Sequence, residues 1–410
     1  MKKALVLAGG IPQIKLIQNL QNRNYEVVLA DYTPVPIAAK FADKFYNTST
    51  LDVDAIREIA IKENVCLIIT VCTDQALNTV ALLAEELGLP CYISAQTGFD
   101  VTNKSSMKGI FAKNNIPTSK FIITNKVLDK SPNINYPIIV KPVDCNSSKG
   151  VNKVFNLQQL NNSIIDAINY SRTKTAIIEE YIEGNEISVD AFIENGQAKL
   201  LCASYSDKIK DNSKFVINRG RYPLNNKNIE TKKIIEIIQS IANAFCLKNS
   251  PMLVQMIQKN NELYVLEFSA RTGGCIKYHM IELASGFDVI NATIDLFENL
   301  PTKVETIESN KIIINDFLYC KSGIFVQYDG FDKCKKEGLI EEYFLLKAKG
   351  TKLGNINSSG DRIAAITFQT DTYEEYLIKR QKVNKLIKIL DNQGNDILRH
   401  DLFDNKPRKI

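Results

Sequence analysis

The stretch Pro137-Ile138-Ile139-Val140-Lys141-Pro142-Val143-Asp144-Cys145-Asn146-Ser147-Ser148-Lys149-Gly150-Val151 decides how this chain is read. An apolar run ends in a lysine, and a loop of small, polar residues follows and closes on Lys-Gly. Such a strand delivers one ammonium group as a point charge to a polyanion. The backbone N–H groups of the next loop can wrap the same polyanion. Ser147, Ser148, Lys149 and Gly150 belong to that loop. No helix opens after Lys141, so this is not the glycine-rich P-loop.

Two later segments fit the same ligand. In Ile177-Ile178-Glu179-Glu180-Tyr181-Ile182-Glu183-Gly184-Asn185-Glu186, a second strand ends at a hinge. A strand end offers a flat base one backbone donor and one acceptor, and Glu183 or Glu186 offers ribose hydroxyls a carboxylate. In Leu263-Tyr264-Val265-Leu266-Glu267-Phe268-Ser269-Ala270-Arg271-Thr272-Gly273-Gly274, a third strand ends with an acid and an arginine. Magnesium takes hard oxygen ligands. Glu267 suits it, with Gln255 brought alongside by cross-strand pairing and Ser269 two residues on along the same face. Arg271 continues that face, where it can stabilise charge on a transferring phosphoryl group. The order is that of a nucleoside triphosphate site with a metal end and a reacting end.

Composition agrees. With 410 residues, two or three domains are expected. The 45% hydrophobic and 24% charged content is that of a globular protein. A net charge of +5 without a basic, aromatic-interleaved stripe argues against nucleic acid. No apolar run is long enough to span a membrane, and the first ten residues are too short a run for a signal sequence. The nine cysteines include no C-x-x-C pair. They read as small buried hydrophobes in a reducing cytoplasm. The two histidines, His279 and His400, are given no role.

Along the chain, strand and helix signals alternate through residues 3–100. Strands are predicted at 4–8, 26–30, 67–71 and 91–93, and helices at 11–22, 53–63 and 75–87, making a doubly wound parallel sheet. Its first loop, Ala8-Gly9-Gly10-Ile11-Pro12-Gln13, is not G-x-G-x-x-G. Asp31 alone, where a ribose-binding acid would fall, supports a dinucleotide only weakly. Beyond, a hairpin is predicted through Asn195-Gly196 and another around residues 259–262, helices at 106–114 and 234–245, strands near 312, 322–326 and 363–368, and a helix at 373–390.

Taken in order, these motifs resemble the ATP-grasp superfamily, on the side of biotin carboxylase, carbamoyl-phosphate synthetase and the L-amino acid ligases. The resemblance implies an α/β and α+β protein. It would have an N-terminal Rossmann-like parallel sheet (1–101), a central ATP-grasp fold (102–310) and a small C-terminal lid-like α+β unit (311–410), where Ser358-Ser359-Gly360-Asp361-Arg362 stands. It implies that Lys104 and Lys141 reach the phosphates of ATP, and that residues 147–151 cover them. Glu179, Glu180, Tyr181 and Ile182 would form the adenine hinge, and Glu186 the ribose-side acid. Glu267, Gln255 and Ser269 would stand at Mg2+, Arg271 at the reacting phosphate, and Gly273 and Gly274 at a substrate carboxylate. Gln255 stands where the family has a glutamate, and Ser269 where it often has asparagine. The implied activity is an ATP-dependent carboxylate–amine ligase acting on small molecules. A nucleotide-binding sensor or partner subunit is the alternative, and a homodimer is allowed by analogy.

Overall fold

In the computed structural model the described residues are 2–146, 149–209, 215–224 and 231–404. The N-terminal sheet has four parallel strands in the order Lys44–Asn47, Tyr25–Asp31, Lys2–Leu7 and Leu67–Ile69. Val27, Val28, Leu29 and Leu5, Val6, Leu7 are wholly buried, as the continuous apolar runs of a sheet covered on both faces require. Helices Ile11–Asn22, Val53–Glu63 and Asp74–Leu87 cover it.

One expectation fails here. Residues 91–93 form no strand. Tyr92 instead donates from its hydroxyl to the carbonyl of Ala270 at 2.8 Å and meets Phe297 edge-on, ring centroids 5.0 Å apart. The segment is a strap against the rest of the protein, not a sheet edge. The fourth strand is Lys44–Asn47, whose Lys-Phe-Tyr-Asn is short and only half apolar.

A four-stranded antiparallel sheet follows, ordered Phe121–Thr124, Ala176–Glu180, Ile138–Pro142 and Asn152–Val154, with helix Leu157–Tyr170 packed on it. Opposite it stands a continuous eight-stranded sheet, ordered Glu262–Ser269, Ser250–Lys259, Asn185–Glu194, Gln197–Lys208, Ile217–Tyr222, Ile312–Leu318, Ala364–Thr370 and Glu342–Leu345. This sheet runs across residue 310. Asn195 and Gly196 close the predicted hairpin with φ of 50° and 80°, the left-handed pair that a two-residue turn requires.

The C-terminal helix Tyr373–Leu386 stops short of residue 390. Lys388–Asp391 pairs instead with Gly323–Asp329, burying Ile389 and Phe325. Helices Lys277–Ser285 and Val289–Phe297 share one core with the N-terminal sheet, so that sheet is seated on the back of the large one. All nine cysteines are free. Cys66 and Cys246 are exposed, against the expectation of burial, because Cys66 stands in a bend before strand Leu67–Ile69 and Cys246 in the turn after helix Thr231–Ala244. Among the described residues, no helix is long and apolar enough to cross a membrane.

Candidate active site

The register of the small sheet explains its charges. Ile139 faces Glu179, and Lys141 lies two residues on along the same face. Lys141 Nζ therefore reaches Glu179 Oε2 at 2.6 Å. Lys108, fully buried one turn into helix Lys104–Lys113, meets the other oxygen of Glu179 at 2.8 Å. The Glu179 carboxylate is thus engaged by two ammonium groups, not left free for a base. Burial pushes the Lys108 ammonium below its ordinary pKa in spite of Glu179.

Lys104 opens the same helix, whose first turn is capped by Asn103 Oδ1 accepting from the N–H groups of Ser105 and Ser106. Its Nζ donates to the Cys145 carbonyl at 2.9 Å and pairs with Glu267 at 3.2 Å. One lysine thereby joins the loop after Lys141 to the end of the third strand. Burial lowers the Lys104 pKa, but the Glu267 carboxylate outweighs it and the balance is upward.

Gln255 and Glu267 stand directly opposite on paired strands. Gln255 Nε2 donates to Glu186 Oε1 at 3.4 Å, and Glu186 also pairs with Lys208. Ser269 is buried beside them. Among the described residues no group of three or more His, Cys, Asp or Glu side chains could hold a metal alone. The donors present are one carboxylate, one amide oxygen and one hydroxyl. That set fits Mg2+ only as a partial shell, since this ion commonly takes one or two carboxylates and completes its octahedron with phosphate oxygens and water.

Arg271 is held by a residue that no motif announced. Its Nε donates to Asp74 Oδ1 at 2.6 Å, and Nη2 bonds the other carboxylate oxygen. Asp74 begins helix Asp74–Leu87 of the N-terminal layer. It also accepts from Asn146 Nδ2 at 3.0 Å, so it ties the arginine to the loop after Lys141. Lys104, Gln255, Glu267, Ser269, Arg271 and Asp74 line one small pocket. It adjoins a cavity of about 720 Å3 between the three layers, which also takes in Lys149, Gly273 and Gly274.

Gly273 N donates to Asp190 Oδ1 at 2.8 Å. A Cβ on Gly273 would stand 2.5 Å from Lys277 Cγ, so the close approach requires glycine. Lys149 is exposed, and Gly150 turns with φ +70° against Pro142. Ser147 and Ser148 lie outside the described residues. Tyr181 is half-buried beneath the Lys153 ammonium, 3.5 Å from its ring centroid. Ile182 is buried, and half-buried Glu180 donates its N–H to the Lys120 carbonyl. The hinge residues do not border the 720 Å3 cavity. Asp31, which accepts from Gly9 N and Thr33 N, is a loop brace at its rim. Asp74, Lys108, Asp190 and Lys277 were missed because each acts through a partner distant in the chain.

Residues 134–278 match the ATP-grasp domain family. A formate-dependent phosphoribosylglycinamide formyltransferase of Sulfurisphaera tokodaii is 30% identical over 189 residues, which are 44% of this chain and 47% of that protein. The chain thus aligns with about half the length of this curated relative. Among solved structures, an L-amino acid ligase from Bacillus licheniformis superposes with a TM-score of 0.76 at 17% identity, covering 96% of this chain and 99% of the other. The biotin carboxylase domain of a Hydrogenobacter thermophilus 2-oxoglutarate carboxylase, solved with MgADP and bicarbonate, gives 0.75 at 16%, covering 99% of each. The family match thus covers residues 134–278, and over nearly its whole length the chain shares the fold of these two solved structures.

Proposed function

We propose that the protein is an ATP-dependent ligase that joins a small-molecule carboxylate to an amine through an acyl phosphate. The observation that supports this best is the grouping of Lys104, Gln255, Glu267 and Arg271 around one pocket that opens into a substrate-sized cavity. A carboxylate oxygen attacks the γ-phosphorus, the bond to the bridging oxygen breaks, and ADP leaves. The amine nitrogen then attacks the acyl carbon, the C–O bond to phosphate breaks, and the proton passes from nitrogen to solvent or phosphate.

Lys104 and Lys141 position the phosphates, and the backbone at Tyr181 and Ile182 holds adenine. Lys149 and Gly150 contribute to the cover over the triphosphate, and Glu186 takes ribose. Arg271 stabilises charge at the transferred phosphoryl group. Glu267, with Gln255 and Ser269, would hold Mg2+, which when bound neutralises triphosphate charge. Gly273 and Gly274 bring backbone close to the substrate carboxylate. The reading also keeps the division at residues 101 and 310, a cytoplasmic setting, and no nucleic-acid or membrane partner. A homodimer is compatible with it.

Gln255 favours one second reading, an ATP-binding protein with little turnover. ADP release from Mg-ATP, tested against a panel of carboxylates and amines, separates the two. Release that requires both substrates supports the ligase; binding without release supports the second. No Mg-ATP binding by calorimetry removes both.

A further inference from the structure

The floor of the 720 Å3 cavity has a gap in its row of side chains. Across the large sheet, Ser206 faces Gly220, and Gly220 faces Asn315. Directly opposed residues share a face, so Ser206 and Asn315 flank a position with no side chain. All three line the cavity. Gly220 is not among the residues with positive φ. A Cβ placed on it would meet only Met280 Cε at 3.7 Å and Asn315 Cβ at 4.0 Å, which is ordinary contact. Neither backbone nor packing therefore demands glycine, although glycine weakens a strand. What it preserves is open space.

Donors stand around that space. Asn315 is 2% exposed. Thr367 Oγ1 donates to its Oδ1 at 2.8 Å, which turns the amide nitrogen away, toward the cavity. Among the described residues this nitrogen has no hydrogen-bond partner, so it is available as a donor to a molecule in the cavity. Ser204, on the same face as Ser206, accepts from Lys277, whose ammonium is anchored 3.5 Å from Asp190. On the other side, Arg362 stacks 3.7 Å above the ring of Phe317, two residues beyond Asn315 on the same face. Among the described residues Arg362 has no carboxylate partner. Donors flanked by two cations suit an acceptor that carries negative charge.

We propose that the notch over Gly220 is a subsite for an oxyanion of the substrate, a second carboxylate or a phosphate, held apart from the carboxylate that reacts at Arg271. This rests on the ligase reading and narrows it: the molecule in the cavity carries two anionic groups.

The test is ADP release from Mg-ATP with matched pairs, glutamate against glutamine and O-phosphoserine against serine, each offered with a panel of amines. The anionic member of one pair is expected to be preferred by about a hundredfold in kcat/KM, and which pair responds tells carboxylate from phosphate. Gly220→Ala should raise the KM for that compound about tenfold, as a filled notch would. Asn315→Asp, which sets like charges together, should raise it further. Mg-ATP affinity by calorimetry should not change in either variant. Equal use of anionic and neutral members, no response to either pair by a protein that binds Mg-ATP, or wild-type KM in both variants overturns the proposal. Failure to bind Mg-ATP at all removes the ligase reading instead, and the subsite with it.

Discussion

Glu179→Gln isolates the charge at the centre of the lysine cluster. Glu179 is 3% exposed and lies between Lys108 and Lys141. Burial alone would raise its pKa. The two ammonium groups outweigh burial and hold the carboxyl at about 2, below the ordinary 4.5. A carboxyl lowered on folding contributes its stability above the unfolded value and loses it as pH falls through the folded one. That fall from 4.5 to about 2, at about 1.4 kcal/mol per pH unit, corresponds to about 3 kcal/mol. The cost of breaking a buried ion pair by removing one partner is about 3–5 kcal/mol, a consistent figure. Glutamine keeps the shape and strands two buried cations. Urea unfolding at pH 7 should therefore show Glu179→Gln less stable by about 3 kcal/mol. The deficit should shrink as pH falls from about 4.5 towards 2, because the wild-type carboxyl is then also neutral. A deficit under about 1 kcal/mol at pH 7, or one that stays constant down to acid pH, would refute the reasoning.

Lys141→Ala should weaken Mg-ATP binding by about 1.5–3 kcal/mol, the worth of a hydrogen bond to a charged group, read by calorimetry. Arg271→Ala should leave Mg-ATP affinity nearly unchanged and slow substrate-dependent ADP formation by about a hundredfold or more in single-turnover experiments; a kinetically silent variant ends the assignment of the reacting end. Gly273→Ala should cost about 1–3 kcal/mol in urea unfolding, since its Cβ would stand 2.5 Å from Lys277 Cγ and 2.7 Å from Asp190 Oδ1.

What could be read from the chain follows the range of the forces involved. The strand at Lys141, both hairpins and the helix Val53–Glu63 declared themselves because turn chemistry and apolar period are local. That Gln255 would come beside Glu267 was also expected, but the turn alone would set Gln255 against Leu266; a bulge between Gln255 and Met256 shifts the register by one and brings Glu267 opposite. Lys44–Asn47 was not, because a short, half-buried edge strand carries little pattern. Residues 388–390 read as helix continuing from Tyr373 until a partner strand at Gly323–Asp329 claimed them. The grip of Asp74 on Arg271 spans 197 positions and depends on how the N-terminal sheet is seated. The gap over Gly220 likewise exists only once three strands distant in sequence lie side by side.

Gln255 is the residue on which the choice between enzyme and sensor turns, and its surroundings give that choice a second readout. Its amide nitrogen donates to Glu186, while Glu267 faces it across the strand pair. A glutamate at 255 would lose that donation and place a third carboxylate between two others. Like charges directly opposed on a sheet are destabilising, and Lys208 and Lys104 are already paired with Glu186 and Glu267. Gln255→Glu should therefore lower the melting temperature in the absence of magnesium. It should also make the protein gain more stability from added Mg2+ than the wild type does, because a ligand that binds only the folded state stabilises it by mass action. If melting curves of variant and wild type respond equally to magnesium, residue 255 does not face the ion. The amide would then say nothing about catalytic competence, whatever the turnover.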